Sequence, residues 1–305
     1  SGVTFTGGYS ITLPPPPSSK AIFGYGTNNA GTRVSITNLV SNTGVVANDT
    51  AGVGTARDNL AAAGYGTDKA IFGYGNTGGA ATAITNLVSN TGIVANDTTG
   101  VGTIRVGLAA ATYGTDKAIF GYGSNASETV KYSTTNLVSN TGVVGNDVTG
   151  VGTIRLRLAA AGYGTDKALF GFGVDGPFLA MTNLVSNTGV VATDTAGVGT
   201  ARSALAAAGY GTDKAIFSYG NADVGYVTNL VSNTGVVATD TAGVGTYRSY
   251  LAAAGYGVDT ALFGYGYSGS GSMTNLISNT GVVATDTAGV GTGRNTLAAA
   301  SYGLS

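Results

Sequence analysis

One unit is written six times in this chain of 305 residues, and it fills residues 20–305. A motif close to LAAAGYG begins at Leu60, Leu108, Leu158, Leu205, Leu251 and Leu297. A motif close to KAIFGYG begins at Lys20, Lys69, Lys117, Lys167, Lys214 and, as TALFGYG, at Thr260. TNLVSNTGVV or a near copy begins at Thr37, Thr85, Thr135, Thr182, Thr228 and Thr274. The arginines ahead of each LAAA motif, Arg57, Arg105, Arg155, Arg202, Arg248 and Arg294, are spaced 48, 50, 47, 46 and 46 residues apart. A unit of that length cannot bury its own apolar surface, so neighbouring units must stack.

The period suits either a pair of helices or a four-stranded propeller blade. Local chemistry separates the two. Glycine, 52 of 305 residues, interrupts every unit at short intervals, which a helix pair would not tolerate. The apolar runs are short and rich in Val, Ile, Phe and Tyr, as strands are. The LAAA segment has helix propensity but is too short to stand as a helix. It is expected to be the innermost strand, where small side chains suit crowding near an axis. Each blade is then LAAAGY, KAIFGYG, TNLVSNTG and VVATDT, followed by AGVGTxR leading onward. Blades packed on both faces explain why KAIF and NLV do not alternate between apolar and polar.

The first unit begins at Lys20 without an LAAA strand, and the chain ends on a lone one at 297–303. Placing that C-terminal strand in the first blade gives six complete blades and removes an exposed edge. The expected fold is therefore an all-β, six-bladed β-propeller over residues 20–305. Residues 1–19 form a separate segment. Within it, SGVTFTGGYSITL predicts a hairpin about Gly7-Gly8, and Pro14 to Pro17 predict a stiff spacer. Val3, Phe5 and Ile11 favour docking on a blade or on another chain, which makes 1–19 a possible route to an oligomer. A disordered linker is the other reading. The chain opens with Ser and shows no basic-then-apolar leader, so a signal or initiator Met is expected to have been removed.

Composition excludes much chemistry. Without His or Cys there is no Ser-His-Asp triad, no thiolate nucleophile, no disulfide and no common zinc or copper site. The formal charge of −1 and the lack of a basic block argue against nucleic-acid binding. No apolar run is long enough to span a membrane as a helix. Glu128 is the one Glu, and no nucleophile has a base beside it, so the chain is expected not to be an enzyme and to need no cofactor.

The order of an Arg, a small-residue strand, a Gly-flanked turn, an aliphatic strand and an Asp-containing turn resembles the Kelch class of propeller. Here that order is Arg202, LAAAGYGTDKAIFSYG (205–220) and TNLVSNTGVVATDT (228–241). It departs from the Kelch pattern in two places: Gly-x-Gly, such as Gly24-Tyr25-Gly26, stands for the double Gly, and the usual Trp is missing. The near-identical KAIFGYG and TNLVSNTGVVA units, with the Pro-punctuated opening, also resemble tandem repeats in virion and tail-associated proteins of bacteriophages of aquatic bacteria. That resemblance implies a virion or extracellular location, and a host-surface glycan or a neighbouring virion protein as partner.

Most charges repeat. Asp49, Asp97, Asp147, Asp194, Asp240 and Asp286 form one set, and Asp68, Asp116, Asp166, Asp213 and Asp259 a second. Residues needed identically in every unit are expected to build the blade, capping turns or pairing between blades. Six equivalent cation or ligand sites are the alternative, although a calcium loop needs more hard oxygen ligands than each string holds. The recurring tyrosines are likewise expected to pack between blades. Seven charges break the repeat: Arg33, Asp58, Glu128, Lys131, Arg157, Asp175 and Asp223.

Five of those seven fall between the KAIF and TNLV strands, in segments 27–36, 76–84, 124–134, 174–181, 221–227 and 267–273. These vary from seven to eleven residues while the surrounding frame hardly changes. Loops on a rigid scaffold carry recognition; unconstrained drift after duplication would give the same pattern. The candidate contact residues are Arg33, Glu128, Lys131, Tyr132, Asp175, Phe178, Asp223, Tyr226 and Tyr267. Aromatic rings beside Asn and Asp suit a carbohydrate. The expected function is a non-enzymatic virion protein, of tail or surface, that displays six variable loops for recognition. A purely structural decoration or assembly subunit, or a propeller-type lectin, are the competing readings.

Overall fold

The computed structural model describes residues 3–4, 10–11, 19–221, 226–267 and 271–303. Those residues form no helix; the chain is all-β and built of small antiparallel sheets. No helix among them is long and apolar enough to cross a membrane. The first sheet joins Ala298–Tyr302, Lys20–Gly24 and Thr37–Val40. The second joins Ala61–Tyr65, Lys69–Asn76 and Ala81–Val88, and the third Ala109–Tyr113, Lys117–Gly121 and Thr135–Val138. The fourth joins Ala159–Tyr163, Lys167–Gly171 and Thr182–Val185. The fifth joins Ala206–Tyr210, Lys214–Ser218, Val227–Val231 and Thr241–Ala242. The sixth joins Ala252–Tyr256, Thr260–Gly264 and Thr274–Ile277.

The KAIF strand is the middle of each sheet and is covered on both faces; Ala21, Ile22 and Phe23 are fully buried. The LAAA strands lie against one another in chain order, and Ala298–Tyr302 lies against both Ala252–Tyr256 and Ala61–Tyr65. Small side chains permit that approach: a Cβ on Gly209 would stand 3.3 Å from the Gly162 carbonyl oxygen of the neighbouring strand.

Two cycles of backbone hydrogen bonds tie these inner strands together. At their start, Thr296 N–H donates to the Tyr250 carbonyl (2.9 Å), Tyr250 to Ala204 (2.8 Å) and Ala204 to Arg157 (2.8 Å). Arg157 then donates to Gly107 (2.7 Å), Gly107 to Asn59 (2.9 Å) and Asn59 back to Thr296 (2.9 Å). All six residues hold φ between 52° and 61°, which costs a non-Gly residue on the order of 1 kcal/mol and is sustained by the bonds it makes. At the far end, Gly66, Gly114, Gly164, Gly211 and Gly303 donate to the carbonyls of Asp116, Asp166, Asp213, Asp259 and Asp68. Gly257 donates to Ser19 (2.8 Å), so Ser19 stands where five units have Asp.

The expected fourth strand is a correction in five sheets. VVATDT forms a strand only at Thr241–Ala242; elsewhere it returns beside TNLV through isolated bridges such as Val40↔Val46 and Thr37↔Thr50. Asn38 Nδ2 donates to the Ala47 carbonyl (3.0 Å) and to Asp49 Oδ1 (2.9 Å), and Asn229 makes the same two bonds in the fifth sheet, so this side chain braces the returning segment whether or not a fourth strand forms. Near the N-terminus, Val3–Thr4 pairs antiparallel with Ser10–Ile11. Phe5, Gly7, Gly8 and Pro14 to Pro17 lie outside the described residues.

The repeated charges join sheet to sheet. Arg57, on the link into the second sheet, is fully buried. It donates to the Tyr74 carbonyl (2.9 Å), the Thr55 carbonyl (3.1 Å) and Asn86 Oδ1 (2.7 Å). Its guanidinium lies 4.3 Å from the ring centre of Tyr25 in the first sheet. Tyr25 in turn donates to the Val53 carbonyl (3.1 Å). Asp97 accepts from Asn86 Nδ2 (2.9 Å) and from the Thr55 hydroxyl (2.5 Å). A Cβ on Gly54, at φ 74°, would lie 2.3 Å from Asp97 Oδ1, so the link needs glycine there. Arg294, stacked 4.8 Å over Tyr265 and bonded to Asn38, repeats this between the sixth and first sheets.

Burial pushes the Tyr25, Tyr122 and Tyr265 phenols up to about 12, the nearby arginines notwithstanding, so they stay protonated donors. Burial pushes Arg202, which stacks on Phe172, down to about 10; it keeps its charge at neutral pH. Partial desolvation would raise the Asp97 carboxyl, but hydrogen bonds from Thr55 and Asn86 and the Arg57 charge outweigh it and hold it below the ordinary carboxylate range. Asp49, Asp147, Asp194, Asp240 and Asp286 are lowered in the same way.

A carboxylate lowered by folding adds stability above its unfolded pKa, about 4, and loses it as the pH falls through its folded value. Thermal stability is therefore expected to fall steeply below about pH 4; circular-dichroism melts that stay level or rise there contradict the clamp. Arg57→Met leaves the Tyr74 carbonyl and Asn86 Oδ1 unpaired and is expected to cost about 2 kcal/mol or more in urea unfolding. Deleting 297–305 removes the partner of Lys20–Gly24 and should abolish the folded monomer; an unchanged melt and monomeric mass refute that.

Candidate recognition face

Each KAIF strand ends on a residue held at positive φ, Tyr25 at 64° for example, followed by a Gly. That turn releases the variable segment at the end of the sheet where the chain also enters the LAAA strand. The frame grips each segment at its base: Tyr25 N–H donates to the Ile36 carbonyl (3.0 Å) and Val34 N–H to the Gly26 carbonyl (2.9 Å). The tips differ. In the second sheet the segment is a continuous hairpin with Asn76 Oδ1 accepting from Gly78 and Gly79 N–H. In the third it turns through Glu128 at φ 57°.

The four described charged candidates are all ion-paired. Arg33 Nε lies 3.1 Å from Asp58 Oδ2, which also accepts from the Thr27 hydroxyl (2.9 Å). Both Glu128 oxygens accept from Arg157 Nη2, at 2.7 and 2.9 Å, and the Arg157 guanidinium lies 5.4 Å from the Tyr250 ring centre. Lys131 Nζ lies 3.1 Å from Asp175 Oδ1. These pairs are partly exposed, so each holds a loop in register more than it stabilises the fold.

The aromatic candidates divide. Tyr132 and Phe178 are half-buried. Tyr226 is a supporting ring: it stacks on Tyr219 at 5.9 Å and 14°, and its hydroxyl donates to the Gly245 carbonyl. Tyr267 is 70% exposed. Asp223 lies outside the described residues.

Two groups escaped the sequence reading as contacts. Asp58 and Arg157 stood out as breaks in the repeat, and they are the partners of Arg33 and Glu128. Tyr247, 40% exposed, and Tyr250 were not singled out. The signal was available in one column, the second residue after each repeated Arg: Asn59, Gly107, Arg157, Ala204, Tyr250 and Thr296. Every unit differs there although the flanking Arg and Leu never change. With the six leucines that follow, these residues line a cavity of about 70 Å3 between the strand starts.

The opposite end is nearly uniform. Four Asp of the second set, Asp68, Asp116, Asp166 and Asp213, pair with the next Lys at 2.7 Å, and that bond holds the Asp68 carboxyl below its usual range; Asp259 is followed by Thr260 instead. A cavity of about 230 Å3 there is lined by Tyr113, Tyr163, Tyr210 and Tyr256 with Lys167, Lys214 and Ser19 among its neighbours. Nowhere among the described residues do three His, Cys, Asp or Glu side chains gather. The first-set carboxylates are taken up by Thr and Asn donors, as Asp97 shows. No protein-family model matches the chain, and no curated protein matches it.

Proposed function

We propose that the chain is a six-bladed, Kelch-like β-propeller that works as a non-enzymatic recognition protein. The six similar sheets, the inner strands neighbouring one another in cyclic order, and the hydrogen-bond cycle from Thr296 back to Asn59 support six blades in a ring. The pairing of Ala298–Tyr302 with Lys20–Gly24 supports closure by the C-terminal strand. The observation that carries the function is the concentration of difference on one end. Loop lengths, loop charges and the residue two after each Arg all vary there, while the frame and the far end repeat. A scaffold that keeps its frame and diversifies one face is suited to reading a surface.

The target is a host-surface glycan or a neighbouring virion protein, and the setting is a virion or another extracellular surface. The likeness of the tandem units to phage virion repeats supports that setting. The far end suits attachment: the chain enters at Ser19 beside Gly257, and Val45, Ile93, Val143, Val190, Val236 and Val282 are exposed at equivalent turns. That apolar set is also what favours a purely assembling subunit. The deciding experiment is capture on a broad glycan array by the chain and by a form in which all six variable segments carry the 221–227 sequence. Capture by the first and not the second is expected. Equal capture by both overturns recognition through the loops, and absence of capture with assembly onto virion proteins favours the structural subunit.

A further inference from the structure

The variable face is divided into a charged arc and an aromatic arc. The ion pairs Arg33–Asp58, Glu128–Arg157 and Lys131–Asp175 all belong to segments of the first four sheets. Each charge there is already answered by another, so the arc offers little free charge to a ligand. The only two aromatic rings that are broadly exposed among the described residues, Tyr247 and Tyr267, both serve the sixth sheet. Tyr267 N–H donates to the Ser249 carbonyl at 2.7 Å, which fixes it beside the link that carries Tyr247 two residues earlier. The Tyr247 hydroxyl donates to Asn221 Oδ1 at 2.9 Å, and the Asn221 backbone is itself paired with Ser203. The Tyr226 ring lies 6.1 Å from that of Tyr247 and stacks on buried Tyr219, which gives Tyr247 a rigid support.

Resting on the recognition reading above, we infer that Tyr247 and Tyr267, with the Asn221 amide, form a binding site for an uncharged saccharide. Two phenol faces offer stacking to the C–H face of a pyranose. The Asn221 amide uses its oxygen on Tyr247 and leaves both amide hydrogens without a partner among the described residues, so it presents donors to a sugar hydroxyl. Arg202 and Arg248 are the described charges on the two links, and both are buried beneath the surface. A charged ligand would find no free counter-charge among these residues.

The test is binding of the full chain to a printed array of uncharged and anionic oligosaccharides. Tyr247→Ala and Tyr267→Ala are each expected to lower the signal on uncharged probes by about tenfold, with an unchanged melt. Tyr247→Phe keeps the ring, loses the bond to Asn221 and should fall between the two. Glu128→Gln and Lys131→Met should stay within about twofold, and about 0.5 M NaCl should change little, since no ion pair to the ligand is involved. Binding that survives both Ala variants but is lost with Glu128→Gln or Lys131→Met, or in salt, overturns the site. It leaves loop recognition intact if the form carrying 221–227 in all six segments still fails to bind. Capture of no uncharged probe overturns the saccharide inference, and that same form then judges the loop reading against a protein target.

Discussion

A buried guanidinium sits wherever one sheet passes the chain to the next, and the six-part arrangement depends on it. Glycine-rich strands pack closely but offer few side chains to specify how one sheet faces another. Arg57 supplies that specification with one planar group: it covers Tyr25 of the first sheet and satisfies the Thr55 and Tyr74 carbonyls and the Asn86 amide oxygen. An aliphatic residue could fill the space, but it would leave three buried acceptors without donors. Asn86 then holds Asp97, and Asp97 holds the link through Thr55, so the Arg, Asn, Asp and Thr of the repeat form one continuous device. This accounts for their recurrence in every unit without invoking a ligand at each.

The same device explains which parts of the fold could be read from the sequence. Strand positions were legible because KAIF and LAAA are set by burial on both faces and by crowding, which leave direct marks on composition. The fourth strand was misjudged because VVATDT has strand propensity, while in five sheets its pairing with TNLV stops at isolated bridges such as Val40↔Val46 and Thr37↔Thr50. The variable segments were legible from their changing length and residues within a constant frame, although in the second sheet the segment is itself strand, within Lys69–Asn76 and Ala81–Val88. Their ion pairs were not, because Asp58 and Arg157 lie far in sequence from Arg33 and Glu128 and meet them only once neighbouring sheets are packed. Tyr226 looked like a free loop aromatic, yet its depth is set by Tyr219 and the Gly245 carbonyl. Propensity carries no information about either.

Difference collects at one end for a physical reason. At the far end, most turn Asp residues pair with their own Lys while their carbonyls accept from a neighbouring Gly N–H, and the tyrosine of each GYG turn packs against the Gly of an SNTG turn. Gly44 shows how little room remains: a Cβ there would lie 2.7 Å from Tyr256. At the variable end only the base of each segment is gripped by the frame, so the tip is free to take new residues without disturbing the sheets. Even the inner cycle tolerates change, since its bonds use backbone atoms and its residues line the cavity between the strand starts. Asn, Gly, Arg, Ala, Tyr and Thr all occupy that one position.

Units this similar also pose a folding problem, because any LAAA strand could pair with any KAIF strand. At the far end, where the units are otherwise nearly uniform, the junction of the first and sixth sheets is made unlike the rest. Ser19 replaces the Asp that other units set before Lys, and Thr260 replaces the Lys that others set after Asp. Gly257 and Ser19 exchange two backbone bonds at 2.7 and 2.8 Å, and the Thr260 hydroxyl donates back to the Tyr256 carbonyl at 2.7 Å. The turn there is therefore shaped without the Asp–Lys pair that closes most of the others. The exposed ion pairs being replaced stabilise little, so the substitution costs little, while it gives the two chain ends a junction chemically distinct from the internal ones. Distinct ends reduce the number of equivalent wrong registers, which is a gain in specificity that a sum of contact energies does not record.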